Sequence, residues 1–378
     1  MLLSRGAAPS ALVEAELDEP RPHEVLVRIE AVGVCHTDLV TRRALGDRPA
    51  VLGHEGCGIV ERLGAGVDSL RVGERVVLSF ASCGRCGQCR DGHPAYCRWA
   101  SELNGSGRRL DGSPTLHVDE TPVFGAHFGQ SSFAAVALAD ARSCIPVGDV
   151  SPVVAAPLGC GFLTGAGAVL NVLRPGPGDR LLVVGAGAVG AAAVLTALSE
   201  GVEVVVVETV AARRALAARF GALAFASWDD AGLPSVTHAL DTTGSPAVLA
   251  RALGALRPRG ALAVVGLGPR TAEIDVRSLM MRGLRLHGCV EGDAEPPRLV
   301  PELVRRHAQG RLPLEGLVTT YALEDLDQAV RDQQAGLAVK PVLLPPGSPL
   351  AADSADVPRR LASRRLTEGP GDAVDEGR

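Results

Sequence analysis

The fold of this chain is decided by residues 180–190, which read RLLVVGAGAVG. A short apolar run leads into Gly185, Gly187 and Gly190, and an apolar-striped pattern of helical period follows directly. Between a strand and a helix, such glycines permit a tight turn and the close approach of a pyrophosphate, whose charge faces the helix N-terminus. The stretch therefore predicts a dinucleotide-binding loop. The alternative is a glycine- and alanine-rich helix start that binds no nucleotide.

The predicted cofactor depends on Glu208, which follows the next apolar run. A carboxylate at this place binds the ribose hydroxyls of the adenosine half and repels a 2′-phosphate. Glu208 therefore favours NAD over NADP, whereas the neighbouring Arg213 and Arg214 leave NADP open.

Around this loop, strand and helix patterns alternate from about residue 179, and two of the helix patterns end at Gly201 and Gly221. Alternation of this kind predicts a parallel sheet with helices on both faces. The predicted segments are 180–184, 188–199, 203–207, 211–220, 236–240, 245–256, 261–267 and 284–290, followed by helices 301–309 and 324–334 and a last strand 340–344.

The first 150 residues have a different pattern, because short apolar runs are separated by Gly, Pro and Asp. This pattern predicts strands joined by turns. The predicted strands are 25–29, 58–63, 75–78 and 133–138. From residue 345 onward the chain has no aromatic residue and is rich in Pro, Ala, Ser, Asp and Arg, which predicts a disordered tail.

Length and charge narrow the class of protein. A chain of 378 residues favours two domains. The net charge of −5 and the scattered arginines argue against a nucleic-acid surface. No stretch approaches the roughly 20 apolar residues of a membrane helix, so we expect no membrane partner and a cytoplasmic location, where thiols stay reduced.

Four of the nine cysteines are close together in the sequence, with the spacing C-x2-C-x2-C-x7-C. They are Cys83, Cys86, Cys89 and Cys97. Four thiolates in one short loop are able to close a tetrahedron around zinc and leave no position for a substrate, so the site is predicted to be structural. The alternatives are an iron–sulfur site or a redox dithiol.

Three further metal-ligand types are far apart in the sequence: Cys35, His54 and Cys160. Their spacing does not join them, and a buried cysteine is usually a small apolar residue of the core. The residues alone therefore leave open whether the three form a metal site or belong to the core.

The order of the motifs resembles the zinc-dependent medium-chain alcohol dehydrogenases over roughly residues 8–345. The matching motifs are Cys35-His36-Thr37-Asp38, Gly53-His54-Glu55, the four cysteines, Gly159-Cys160-Gly161-Phe162 and the glycine loop. Within this family, the aryl-alcohol (benzyl alcohol) dehydrogenase branch is similar in residues 79–83, 92–97, 102–104, 106–109, 129–133 and 290–293.

The resemblance implies an α/β protein with two domains and a tail. A GroES-like, mainly-β catalytic domain is expected over residues 1–163, with residues 301–345 returning to it. A Rossmann domain with a doubly wound parallel sheet is expected over residues 164–300 and binds NAD, and residues 346–378 form the disordered tail. A homodimer or homotetramer is expected.

The resemblance also implies a catalytic zinc held by Cys35, His54 and Cys160, so that two zinc ions are expected per chain. Two cysteines and a histidine with one open position form a catalytic donor set, in which zinc lowers the pKa of the substrate hydroxyl. Thr37 is expected to take the hydroxyl proton before hydride passes to NAD. Asp38 is expected to orient His54, and Glu55 to approach the metal.

Further roles follow from the same resemblance. Thr164 and Val265 are expected beside the nicotinamide, and His36 and Lys340 at the pyrophosphate. Many family members have a proton-relaying histidine where this chain has Val40, so the proton is expected to leave through ribose and water or through His36. Two phenylalanines are candidate walls of the substrate pocket, with core packing as the alternative: Phe128 and Phe80.

The function implied is zinc- and NAD-dependent, reversible oxidation of a primary aromatic or allylic alcohol to its aldehyde. One alternative is a thiol-adduct or formaldehyde dehydrogenase of the same superfamily. The other is a zinc-stabilised dinucleotide sensor without turnover, although a sensor has no use for an open zinc position.

Overall fold

The structure is a computed structural model, which describes residues 1–6, 8–230, 233–348 and 350. Most of the tail predicted over residues 346–378 lies outside these described residues. Within its first residues, Ser348 is buried and donates a hydrogen bond of 2.9 Å to the carbonyl oxygen of Glu30. At Ser348 the chain is therefore still packed against the strand Glu24–Gly33.

A parallel sheet forms the second half of the fold, and the glycine loop leaves one of its central strands. The strands are continuous apolar runs, as expected when helices cover both faces of a sheet. Their spatial order is Leu223–Phe225, Glu203–Val207, Arg180–Val184, Val236–Asp241, Leu256–Val264 and Arg285–Gly288. Every neighbouring pair in this order is parallel.

Helices connect these strands. Ala188–Ser199 follows the glycine loop, and Ala211–Phe220 ends at Gly221, which adopts a left-handed φ of 107° that a glycine tolerates. The others in this half are Pro246–Ala255, Val276–Met281 and Pro296–Ala308. The last of these was predicted to begin at Pro301, but Pro301 lies inside the helix, which begins with Pro296 at its first position, where a missing N–H costs no bond.

The other large sheet is mainly antiparallel and is built largely from the first part of the chain. Its order is Cys144–Pro146, Arg75–Leu78, Gly56–Leu63, Glu24–Gly33, Lys340–Leu344 and Val318–Ala322, and Val136–Asp140 also pairs with Glu24–Gly33. The late strand Lys340–Leu344 pairs antiparallel with Glu24–Gly33 through Val342 opposite Gly33. The C-terminal part of the chain thus returns to the first sheet.

The remaining elements are short. Two small sheets contain Ala11–Leu12, Leu2–Ser4 and Ala50–Val51, and Glu16–Leu17, Leu116–Val118 and Thr121–Pro122. The remaining α-helices are His36–Leu45, Gly87–Arg90, Ala100–Gly105, Pro152–Ala155, Gly161–Gly167 and Leu326–Ala335. In the described residues, no single helix is long and apolar enough to cross a membrane, although the bent pair Pro152–Gly159 and Gly161–Leu173 passes that test together.

The helix Gly161–Gly167 joins the two halves of the fold. Its Phe162 and Leu163 are fully buried in a core cluster that also contains Ala191 and Leu195 of the helix after the glycine loop. The two helices approach closely, since a Cβ on Gly165 would lie 2.1 Å from the carbonyl oxygen of Val189. This packing fixes Cys160, directly before the helix, relative to the glycine loop.

Candidate active site

A buried cluster contains the three scattered ligand types of the sequence. Ligand atoms of Cys35, His54, Glu55 and Cys160 all lie within 4.8 Å of one another. Cys35 precedes the helix His36–Leu45, His54 and Glu55 precede a strand of the first sheet, and Cys160 precedes the helix that joins the two halves. The fold thus brings together residues that their spacing did not connect.

The donor set of this cluster fits a metal ion. His54 is fully buried, and within the described part of the chain its Nε2 has no hydrogen-bond partner, although its Nδ1 lies 2.8 Å from Asp38 Oδ1. A hydrogen bond from Cys160 lowers the pKa of Cys35. One imidazole nitrogen and two thiols form the donor set of a catalytic zinc site.

Asp38 holds the histidine of this cluster in position. Its Oδ1 accepts hydrogen bonds from His54 Nδ1 and from the backbone N–H of Gly53 at 3.1 Å, and its Oδ2 accepts the N–H of Cys35 at 3.1 Å. Burial alone would raise the pKa of Asp38, but the neighbouring His54 and His127 lower it. Because an ionised carboxylate only accepts, Nδ1 of His54 carries a hydrogen, and Nε2 is the ring nitrogen that would bind a metal ion.

Lys340 forms a buried ion pair with Glu55. Its Nζ lies 2.8 and 2.7 Å from the two carboxylate oxygens of Glu55 and 3.1 Å from the carbonyl oxygen of Val34. Burial would lower the pKa of Lys340, but Glu55 raises it. All three ammonium hydrogens therefore have an acceptor, which differs from the predicted pyrophosphate contact, although Lys340 lines the same cavity as Gly187 and Gly190.

The four-cysteine lobe, which comprises residues 83–97, forms a second cluster. The sulfur atoms of Cys83, Cys86, Cys89 and Cys97 lie within 4.8 Å of one another. Backbone N–H groups point at two of the sulfurs: Cys86 donates to Cys83 Sγ at 3.3 Å, and Cys83 donates to Cys97 Sγ at 3.3 Å. Donors of this kind stabilise thiolates, so the residues fit a closed, four-sulfur zinc site.

The glycine loop has the shape expected of a phosphate cradle. Gly185 has a left-handed φ of 87°, and a Cβ on Gly190 would lie 1.9 Å from the carbonyl oxygen of Gly185. Gly187, in contrast, has open space where its Cβ would be. A cavity of about 370 Å³ lies between this loop and the metal cluster, and His36 lines it. The loop is thus fitted to a ligand that approaches its backbone.

Glu208 lies at a neighbouring cavity of about 450 Å³. It is 5% exposed, and its two oxygens accept the N–H groups of Ala186 and Val210, each at 2.7 Å. Each carboxylate oxygen still has acceptor capacity for a ribose hydroxyl. Arg214 donates to the carbonyl oxygen of Glu208 at 2.8 Å, whereas Arg213 lines both cavities.

A third cavity, of about 700 Å³, is larger than these two but lies beside the four-cysteine lobe and shares no lining residue with them. Its walls contain Arg21, Arg109 and Arg142, each of which forms an ion pair with an acidic side chain. Cavity volume is therefore not the criterion that locates the candidate cofactor site. The position of the glycine loop is.

The two phenylalanines that were predicted as walls of the substrate pocket lie in different surroundings. The Phe128 ring stacks on His54, with 4.3 Å between ring centroids. Phe80 is 5% exposed and belongs to the hydrophobic core. Of the two alternatives that the sequence left open for Phe80, the structure therefore supports core packing. Of the other predicted residues, Thr37 is half-buried in the first turn of its helix, and Val265 is half-buried at the end of its strand.

Comparison with known proteins identifies the family. A model described as "Alcohol dehydrogenase GroES-like domain" matches residues 21–149, and one described as "Zinc-binding dehydrogenase" matches residues 188–306. Geraniol dehydrogenase of Castellaniella defragrans is 41% identical over 359 residues, which cover 91% of this chain and 96% of the relative. The chain belongs to the zinc-dependent medium-chain alcohol dehydrogenases.

Solved structures agree with this membership and confirm the predicted fold class. An alcohol dehydrogenase zinc-binding domain protein from Burkholderia ambifaria superposes with a TM-score of 0.87 at 41% identity, covering 91% of this chain and 97% of that one. Benzyl alcohol dehydrogenase from Acinetobacter calcoaceticus superposes with a TM-score of 0.86 at 38% identity, covering 91% and 98%. Alcohol dehydrogenases of this zinc family act on small-molecule alcohols.

Two site residues of this alcohol dehydrogenase were missed by sequence reasoning. His127 is 1% exposed, and its Nε2 lies 3.5 Å from Asp38 Oδ1. Glu291 lies 3.4 Å from Cys160 Sγ and 3.4 Å from the hydroxyl of Thr164, and burial raises its pKa to about 7. The run of residues 290–293 contributed to the resemblance, but nothing in the sequence indicated that Glu291 lies beside Cys160.

Proposed function

We propose that this chain catalyses the reversible oxidation of a primary aromatic or allylic alcohol to its aldehyde with zinc and NAD. The observation that carries the proposal is the cluster of half-buried Cys35 with buried His54 and Cys160. The Phe128 ring stacks on His54, and the glycine loop lies across one cavity from the cluster. A metal site, an apolar wall and a dinucleotide loop are the three parts that hydride transfer from an alcohol requires.

The metal ligands and their supports have separate tasks. Cys35, His54 and Cys160 would hold the metal, and Asp38 fixes the ring of His54. Zinc bound there supplies a Lewis acid that lowers the pKa of the substrate hydroxyl, and NAD accepts the hydride. Besides Asp38, the Glu55 carboxylate also lies close to the two thiols. Lys340 pairs with Glu55 and so neutralises its buried negative charge.

The proton would leave by way of Thr37. Its hydroxyl is in the first turn of the helix that Cys35 precedes, and its neighbour His36 is exposed and lines the cavity next to the glycine loop. Val40, on the same helix, is exposed but has no titratable group. We therefore propose that the proton passes from Thr37 to His36 or to ribose and water.

The choice of NAD rests on Glu208. Its buried carboxylate beside the adenosine-side cavity would repel the extra phosphate of NADP. The guanidinium of Arg214 is already bound to the Glu208 backbone. Arg213 is the residue that would favour NADP, because it lines both cavities and its positive charge would attract a 2′-phosphate.

The substrate class rests on Phe128 and on the relatives. A flat ring stacked on a metal-ligand histidine favours a flat, unsaturated substrate over a small aliphatic one. The relatives named above are a geraniol dehydrogenase and a benzyl alcohol dehydrogenase, which act on an allylic and an aromatic alcohol by name. Both support the same class for this chain.

The domain division predicted from the sequence is also a proposal. The strands Val318–Ala322 and Lys340–Leu344 lie in the first sheet, which supports the return of residues 301–345 to the catalytic domain. The helix Pro296–Ala308 spans the proposed boundary at residue 300. The homodimer or homotetramer and the cytoplasmic location stay predictions.

One set of assays tests the proposed function. Zinc per chain is measured by elemental analysis. NADH formation is followed with benzyl alcohol, geraniol and ethanol and with formaldehyde plus a thiol, and NADPH formation is followed when NADP replaces NAD. We expect two zinc ions and a kcat/KM at least about tenfold higher for benzyl alcohol or geraniol than for ethanol. A preference for the thiol adduct would support the formaldehyde alternative, and zinc binding without turnover on any substrate would support the sensor.

A further inference from the structure

The segment Val290–Asp293 has an unusual backbone at the active site. Glu291, Gly292 and Asp293 have φ angles of 50°, 66° and 45°, so three successive residues lie in the left-handed region. Two of them are not glycine, and such residues cost free energy that surrounding contacts must offset. The shape of this segment is therefore held from outside.

One set of contacts comes from the joining helix Gly161–Gly167 and the helical segment Ala168–Leu173 that follows it. The amide of Asn171 donates to the carbonyl oxygens of Gly292 and Asp293 at 3.0 and 3.2 Å. Gly167 lies so close that its Cβ would be 2.4 Å from the carbonyl oxygen of Gly292. These contacts hold the second half of the segment.

The other set comes from the four-cysteine lobe. The hydroxyl of Tyr96 donates to the carbonyl oxygen of Gly288 at 3.3 Å and accepts the N–H of Val290 at 3.2 Å. His93 Nδ1 lies 2.8 Å from Asp293 Oδ1. Tyr96 and His93 both lie between Cys89 and Cys97, so the lobe carries the groups that hold the first half of the segment and its end.

The held segment delivers one side chain into the catalytic cluster. Glu291 Oε1 lies 3.4 Å from Cys160 Sγ, and its Oε2 accepts from the Thr164 hydroxyl at 3.4 Å. Because Glu291 directly follows Val290, a shift of the Val290 backbone moves the Glu291 carboxylate relative to both groups.

We propose that the four-cysteine lobe positions Glu291 in the active site, chiefly through the Tyr96 hydroxyl and to a smaller extent through His93. Tyr96 contributes more because its hydroxyl makes two hydrogen bonds, both to backbone groups of the chain that leads into Glu291, whereas His93 makes one, to the side chain of Asp293. The lobe then has a task beyond stabilising its own loop. The inference rests on the proposed function only for its kinetic readout.

A double-mutant cycle in the zinc-loaded full-length enzyme tests this coupling. We expect Tyr96→Phe to lower kcat/KM for geraniol about fivefold, Glu291→Gln about twentyfold, and the double variant no more than about twentyfold, because Tyr96 acts through Glu291. Tyr321→Phe is the matched control, since its hydroxyl bonds Asp332 away from the site, and it should leave kcat/KM unchanged. A double variant near the product, about a hundredfold, would overturn the proposal.

Hydrogen exchange gives a readout that needs no turnover. In Tyr96→Phe, amides of residues 288–293 should exchange at least about threefold faster than in the parent enzyme, and in Tyr321→Phe they should not. Unchanged exchange in Tyr96→Phe at equal zinc content would overturn the positioning role. If no alcohol is oxidised but the exchange changes as expected, the proposed function fails and the positioning of the segment stands.

Discussion

The two cysteine clusters of this molecule differ in how they are assembled. The four-cysteine lobe closes within residues 83–97, and its sulfurs receive hydrogen bonds from the backbone of the same loop. The catalytic cluster joins Cys35, His54 and Cys160 from three separate segments and is surrounded by charged side chains. A local cluster depends on its own loop, whereas a dispersed one depends on the whole fold.

Their surroundings differ in the same way. Cys86 and Cys89 of the lobe are partly exposed, as is Cys35 of the catalytic cluster, but the ionisable side chains beside Cys35 are each at most 1% exposed: His54, Asp38, Glu55 and Lys340. Buried charges interact more strongly and tolerate the loss of a partner poorly. We therefore expect the loss of a lobe cysteine to lower mainly the stability of the fold, and the loss of a cysteine of the catalytic cluster to lower mainly the rate. The predictions for Cys160 and Cys86 test this division, and the later ones test the side chains around the two clusters.

The largest effect is expected for Cys160→Ala. Loss of this ligand should lower kcat at least about a thousandfold, because the metal loses its place or its geometry. Zinc per chain should fall from two to one, measured by elemental analysis. Cys144→Ala, which removes a buried cysteine outside both clusters, is the control and should keep both zinc ions. Turnover within tenfold of the parent enzyme would contradict the ligand role of Cys160.

The next effect is expected for Cys86→Ala in the lobe. One zinc ion should again be lost, but the main result should be a free energy of unfolding lower by about 3 kcal/mol, since a structural zinc site contributes directly to folding. Urea unfolding measures it. The division between the clusters would be broken if stability were unchanged while kcat fell as far as in Cys160→Ala.

Lys340→Met tests the buried ion pair. The variant leaves the buried Glu55 carboxylate without its cation, with only the N–H of Gly161 still donating to it at 3.0 Å, and should lower the free energy of unfolding by about 3 kcal/mol. Adding Glu55→Gln should restore most of this loss in urea unfolding, because the unpaired charge is then gone. Unchanged stability together with weakened NAD binding would instead assign Lys340 to the pyrophosphate, as the sequence predicted.

Asp38→Asn tests whether Asp38 orients His54 for metal binding. An amide is able to donate to His54 Nδ1 and so permits the wrong tautomer, so metal affinity should fall about 10- to 100-fold. Competition with a chelator measures the affinity of the catalytic zinc, and the lobe zinc serves as the internal control. Equal loss from both sites would show a general loss of structure and contradict the positioning role of Asp38.

The smallest effect concerns His93 on the lobe. The hydrogen bond to Asp293 raises the pKa of His93 in the folded state, so its contribution is present below the ordinary histidine pKa and lost as pH rises through the raised value. His93→Gln should therefore destabilise slightly at about pH 5.5 and have no effect at about pH 9, measured by urea unfolding. A larger loss at the higher pH would contradict the pairing. The effect is small because the pair is exposed.

Much of the fold was predictable because its elements are locally specified. The bounds predicted from the sequence agree with the structure for Arg180–Val184, Ala188–Ser199, Glu203–Val207, Ala211–Phe220 and Lys340–Leu344. Each is a distinct apolar run or stripe, and a glycine or a proline lies within two residues of one of its ends. The helix Pro296–Ala308 was predicted too short because a proline inside a helix has the same local signal as one that begins it.

The site was predictable only in part. The glycine loop and the four-cysteine lobe are contiguous in sequence, and their spacing alone indicates the chemistry. Cys35, His54 and Cys160 required the resemblance to a family. His127 and Glu291 gave no signal, since a buried histidine and a glutamate in a loop are common in proteins without a site.

The strand and helix periods, the dinucleotide loop and the four-cysteine lobe could be read from the amino-acid sequence, because each depends on residues close together in the chain. The fold was needed to show that the Lys340 ammonium pairs with Glu55, that Phe80 lies in the core while the Phe128 ring stacks on His54, and that Tyr96 bonds the backbone next to Glu291. Contacts between distant segments are set by packing, and packing has no fixed spacing in sequence.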